Sequence, residues 1–209
     1  MFQAILKIRI LNFLAHTYLS GDDDDLKIGN FLGDFVKGRL NKLSNAQYSE
    51  GIIKGMALHR AIDFFTDSHP TVRQSIDRLK PRYHKFSGIV VDMFYDHVLA
   101  KNFAQYSKIS LETYSQNFYD VLEKRKTDIP EAMERMVESM VKRNWFMSYR
   151  QYEGIEWALQ GISKRLSVQS GIENATEDLK EDYLLYEADF NVFFPQLINH
   201  CQEFIKNYV

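Results

Sequence analysis

The stretch Gly51-Ile52-Ile53-Lys54-Gly55-Met56-Ala57-Leu58-His59-Arg60-Ala61-Ile62-Asp63-Phe64-Phe65-Thr66-Asp67 decides the fold. It holds no proline, no hairpin dipeptide and no sustained period-two alternation, so it reads as a helix within the segment 46–67. Its polar residues His59 and Asp63 stand four apart and so share one helix face, amid Ile62, Phe64 and Phe65.

The rest of the chain reads the same way. Helices are expected at 11–19, 26–39, 71–79, 88–105, 110–126, 130–142, 148–168 and 173–207. Pro70 and Pro130 suit helix first turns, with Ser68 and Asp128 as caps just upstream. Pro81 is expected to break the chain between two helices, and Pro195 to kink the last helix or divide it. No repeat, Ser/Gly linker or shift in composition splits the sequence. The expectation is an all-α protein, one helical domain over 11–209 behind a short extension over 1–10.

The 209 residues are 45% hydrophobic with 15 Phe and 12 Tyr, enough to fill a sizeable core. Charged residues make up 26% and the net charge is −2, which excludes wholesale disorder and a dedicated, strongly basic nucleic-acid binder. The single cysteine, Cys201, leaves no internal disulfide and no cysteine-based zinc site, so a cytoplasmic location is expected. No membrane span is expected either. The uncharged run 190–202 is shorter than the ~18 residues a spanning helix needs, and it contains Pro195, Asn199 and His200. Lys7 and Arg9 before the apolar run 10–19 imitate a signal peptide only weakly, because Asn12, His16 and Thr17 interrupt it. The acidic run Asp22 to Asp25 reads as a solvated helix start that offsets the partial positive charge there.

Polar pairs four residues apart carry the chemistry: Asn12/His16, Asn30/Asp34, His59/Asp63 and Asp92/Asp96, each set in strongly apolar sequence. Burying a carboxylate is costly unless it is paired or bound to a metal. A divalent cation would resolve that cost, with imidazole nitrogens and carboxylate oxygens as its ligands. Arg60, beside His59, has the geometry to grip phosphate oxygens. The plainer reading is that such pairs arise by chance in a chain this charged, and that a lone His16 is a core histidine. There is no Gly-rich phosphate loop, no G-x-S-x-G elbow and no H-E-x-x-H. The basic stretch from Arg73 to Lys85 reads as a solvated face or as a docking patch for an acidic partner.

Asn12-Phe13-Leu14-Ala15-His16, the run Gly29-Asn30-Phe31-Leu32-Gly33-Asp34-Phe35-Val36-Lys37-Gly38, His59-Arg60-Ala61-Ile62-Asp63 with Thr66-Asp67, and Asp92-Met93-Phe94-Tyr95-Asp96-His97 together resemble the acyl carrier protein phosphodiesterase family. Echoes follow at Trp145, Tyr149, 154–165 and Phe193-Phe194-Pro195. The resemblance implies a helical fold related to the HD-type metal-dependent phosphohydrolases and a divalent metal, typically Mn²⁺, with Mg²⁺ or another divalent ion as substitutes. It implies holo-acyl carrier protein as the substrate, cleaved to apo-carrier protein and 4′-phosphopantetheine. His16, Asp34, His59, Asp63 and Asp96 are then the expected metal ligands. Asp34 is expected to orient water, Arg60 to pair with phosphate, and His97 to protonate the leaving serine. Arg78, Lys80 and Arg82 are the expected docking residues, with Lys37, Arg39 and Lys42 as the alternative surface. Two other readings stay open: an HD-like phosphohydrolase of a small phosphodiester or nucleotide, and a non-catalytic carrier-protein-binding helical protein. Gly33 replaces the family's usual alanine. Leu11 stands where the family begins with Met, so translation is expected to start at position 11, from a leucine codon read as methionine.

Overall fold

The computed structural model describes residues 12–40 and 46–208, so the expectations for residues 1–10, Leu11 and Lys42 fall outside the described residues. Eleven α-helices run through the described residues: α1 Phe13–Leu19, α2 Asp24–Leu32, α3 Glu50–Ser68, α4 Pro70–Tyr83, α5 Ser87–Lys101, α6 Leu111–Lys124, α7 Glu134–Arg143, α8 Trp145–Ser148, α9 Tyr152–Ser163, α10 Thr176–Glu181 and α11 Tyr183–Asn207. Short 3₁₀ turns join several of them, and no strand occurs among the described residues. None of these helices is long and apolar enough to cross a membrane.

Helix α5 forms the centre because it is apolar nearly all round: Val90, Val91, Met93, Phe94, Val98, Leu99 and Ala100 are all buried. Helices α1, α4, α9 and α11 pack against it. The acidic run does what its sequence implies, since the Asp23 carboxylate caps α2 by accepting from the Leu26 N–H at 3.0 Å.

The closest packing joins α2 to α3, and glycines make it possible. A Cβ on Gly29 would stand 2.0 Å from the Ile52 carbonyl oxygen, and one on Gly55 would stand 2.5 Å from the Leu26 carbonyl oxygen. The two backbones therefore touch, which brings the polar residues of α2 and α3 together. Gly29→Ala is expected to force the helices apart and lower stability by about 1–3 kcal/mol, read as a fall in urea midpoint.

Proline behaves differently from the sequence expectation at two places. Pro81 lies inside α4, and the helix instead ends at His84, which takes φ +49°. Pro195 lies inside an unbroken α11, and the division expected there falls at Asp182, between α10 and α11. Each proline sits on a solvent-facing side of its helix, so water can replace the backbone bond that it forfeits. Along α11, buried Phe190, Phe193, Phe194 and Leu197 hold the helix together across the gap. Pro70 does open α4, but the cap is His69, whose Nδ1 accepts from the Thr71 N–H, and not Ser68. Asp128 pairs with Arg125 at 2.7 Å, and Pro130 precedes only a 3₁₀ turn before α7.

Candidate metal centre

Helix α2 ends at Leu32, seven residues sooner than the sequence suggests, and a turn over Gly33 to Phe35 follows it. Asn30 and Asp34 both still reach the histidines, Asp34 from the turn and Asn30 from the helix. Asn30 is buried and organises both histidines of the site. Its side-chain oxygen accepts from His16 Nδ1 at 2.7 Å, and its backbone carbonyl accepts from His59 Nδ1 at 2.8 Å. Its amide group also donates to the His16 carbonyl and to Ser20 Oγ. With both Nδ1 atoms donating, each imidazole in its neutral form presents an Nε2 lone pair.

Those Nε2 atoms meet carboxylates. His16 Nε2 lies 3.6 Å from Asp63 Oδ1, and His59 Nε2 lies 3.5 Å from Asp63 Oδ2 and 3.3 Å from Asp34 Oδ1. The two rings stack with centroids 4.1 Å apart. Ligand atoms of His16, His59 and Asp63 all fall within 4.8 Å of one another, a group that could hold a metal ion. Gly33 makes room for this, because a Cβ there would run into the His59 ring. Burial alone would push the His59 pKa down, but the hydrogen bond to Asp34 and the charges of Asp63 and Asp34 raise it above the usual value.

The Asp92/Asp96 pair on α5 divides its work. Both Asp96 oxygens accept from α1, one from the Leu14 N–H at 3.1 Å and the other from the Ala15 N–H at 3.0 Å. The geometry thus makes Asp96, expected as a metal ligand, a helix cap from across the fold. Burial, opposed by those two backbone bonds, lifts its pKa to about 8. Asp92, absent from the expected ligand set, lies within electrostatic reach of Asp63, Asp67, Asp96 and Asp34, and burial together with those like charges raises its pKa well above the carboxylate range. The i, i+4 pattern had picked out the pair without telling which member faces the site.

A cleft of about 450 Å³ opens beside His59 and Asp63, walled by Asp34, Lys37, Gly38 and Arg60. The Arg60 guanidinium donates to the carbonyls of Val36 at 3.3 Å and Gly38 at 2.8 Å, which fixes the wall in place. Gly38 takes φ +92°, a conformation that favours glycine, where this wall turns.

His97 is not brought to the cluster. Its Nδ1 donates to the Tyr149 carbonyl at 2.7 Å, its ring stacks on Tyr152, and its Nε2 is buried without a partner among the described residues. Burial lowers its pKa to about 4, so it is neutral near pH 7 and poorly suited to protonate a leaving serine. Because the unfolded chain binds this proton more readily, stability is expected to fall as pH drops from 6.5 to about 4, by about 3 kcal/mol. The stability of His97→Leu, measured by urea melts across that window, should lack this slope.

The expected docking cations also have structural partners. Arg78 pairs with Asp189 on α11, Arg82 with Asp178 on α10 at 2.5 Å, and exposed Lys80 with Asp77 at 3.5 Å. The first two pairs tie α4 to its neighbours.

Fold and site together define an all-α protein with a His/His/Asp group, its histidines buried, able to hold a metal ion. Its sequence matches the family model described as acyl carrier protein phosphodiesterase over residues 11–197, and the chain belongs to that family. It is 27% identical over 193 residues to the acyl carrier protein phosphodiesterase of Photorhabdus laumondii, covering 92% of this chain and 96% of the relative. The enzyme of that name from Pectobacterium atrosepticum is 27% identical over 189 residues, covering 90% and 96%. That from Yersinia enterocolitica is 25% identical over 194 residues, covering 92% and 98%. No solved structure matches this chain significantly.

Proposed function

We propose that this protein hydrolyses the phosphodiester between 4′-phosphopantetheine and the serine of acyl carrier protein, with a divalent ion held by His16, His59 and Asp63 in the manner of HD-type phosphohydrolases. The observation that carries this reading is the convergence of those three side chains beside a cation-walled cleft, in a chain of this family. The donor set fits a divalent metal: two imidazoles with Nδ1 anchored on Asn30 direct Nε2 toward one carboxylate, with Asp34 and Asp92 as further acids nearby. A bound divalent ion, Mn²⁺ by the resemblance, would acidify a water and offset the phosphodiester charge.

The protein's own residues supply the rest. Asp34 reaches both the cleft and His59, so it orients the attacking water and takes its proton. Arg60 and Lys37 line the same cleft and attract the phosphate oxygens. Water oxygen bonds to phosphorus, the bond from phosphorus to the serine oxygen breaks, and that oxygen leaves with a proton from solvent. Carrier protein docks at the cleft mouth beside exposed Lys37, while the α4 cations Arg78, Lys80 and Arg82 contribute long-range attraction to an acidic partner.

Incubation of holo-carrier protein with this protein and Mn²⁺ should remove the phosphopantetheine mass, read by intact mass spectrometry. Chelation should stop the reaction and Mn²⁺ should restore it. Full activity with metal verified absent overturns the metal assignment. Turnover of small phosphodiesters without turnover of holo-carrier protein overturns the substrate, and binding of carrier protein without turnover of either overturns the enzyme.

A further inference from the structure

A second cavity, of about 280 Å³, lies on the other side of α5, between α7, α8 and α9. Its walls include Met93, Met136, Trp145, Trp157 and Ile162, and Arg135 and Arg165 stand among them. Met93 follows Asp92 in sequence, so α5 turns one side toward the acids and another toward this space.

Arg135 and Arg165 are exposed and stand at its mouth. Arg165 spends its Nε on the Gly161 carbonyl at 3.2 Å, and neither it nor Arg135 has a carboxylate partner among the described residues. Burial, uncompensated by any acid, lowers the Arg165 pKa. Arg143 lies over the outer Trp157 ring, 4.9 Å from its centroid, and adds positive charge beside the cavity. Guanidiniums without a carboxylate partner, at the mouth of an apolar space, suit an anionic oxygen group on a hydrocarbon body. The volume is at the small end for ligand sites, which suits a single short chain better than a nucleotide.

We propose that this cavity binds an alkyl monocarboxylate of medium chain length, its carboxylate held at the mouth by Arg135 and Arg165 and its tail lying against Met93, Met136 and Ile162. The site is separate from the metal centre and does not depend on the hydrolytic reading.

The molecule carries its own probe, because its two tryptophans, Trp145 and Trp157, both line the cavity. Titrating the full chain with decanoate, below its micelle concentration, should change tryptophan fluorescence saturably. Decan-1-ol, which lacks the charge, should bind at least about tenfold more weakly, as should decanoate to Arg165→Gln. Gly161→Leu tests occupancy without unfolding the helix: a Cβ there meets nothing within 4 Å, and leucine favours helix over glycine. That variant should keep its circular dichroism and melting temperature and lose the decanoate response. Absence of a saturable response in the parent protein, or an unchanged response in Gly161→Leu, overturns the site. Equal binding of decanoate and decan-1-ol overturns the carboxylate.

Discussion

His59→Ala is expected to cut turnover of holo-carrier protein at least about a hundredfold, since losses of that size follow even when only the partners of metal ligands are removed. His59 touches two acids of the site, through Nε2 at 3.3 Å from Asp34 and 3.5 Å from Asp63, and it anchors to Asn30 through Nδ1. Its removal takes away an imidazole donor and leaves two carboxylates close together with less to offset them. Bound Mn²⁺, measured by plasma mass spectrometry after gel filtration, should fall in parallel. A large drop in melting temperature with near-normal turnover would instead make the cluster a set of structural ion pairs.

Asp96→Ala should act on stability first. It removes the acceptors of two buried N–H groups at the start of α1, and each unsatisfied donor costs about 1–3 kcal/mol, so a loss of roughly 2–6 kcal/mol is expected in urea denaturation. Asp92→Asn should do the reverse, with a small change in stability and a marked loss of Mn²⁺ affinity and turnover. The two substitutions sit four residues apart on one helix, so the contrast reports on orientation rather than on location. If Asp96→Ala instead keeps its stability and loses its metal, the cap assignment is wrong.

The all-helical architecture was legible because it depends on local patterning. The absence of alternation and the apolar runs report on neighbours within a few residues, and such signals survive in a bare sequence. The family was legible because Asn12 to His16, Gly29 to Gly38, His59 to Asp67 and Asp92 to His97 recur in order. His16, His59 and Asp63 were named from spacing and resemblance, and the structure brings them within reach of one ion.

What tertiary packing decided is which face of each helix looks where. Spacing of four puts Asp92 and Asp96 on nearly one side of α5, yet the N–H groups of α1 claim Asp96 while Asp92 is left facing the acids of the site. His97, one residue on, is turned against the Tyr149 carbonyl and the Tyr152 ring. Arg78 and Arg82 read as a basic patch until Asp189 and Asp178, about a hundred residues later in the chain, are folded onto them. Sequence alone determined the all-helical class, the family and the chemical types available to the site. The partners of each polar group were fixed by contacts between residues far apart in the chain, and the sequence pattern of a single helix holds no record of them.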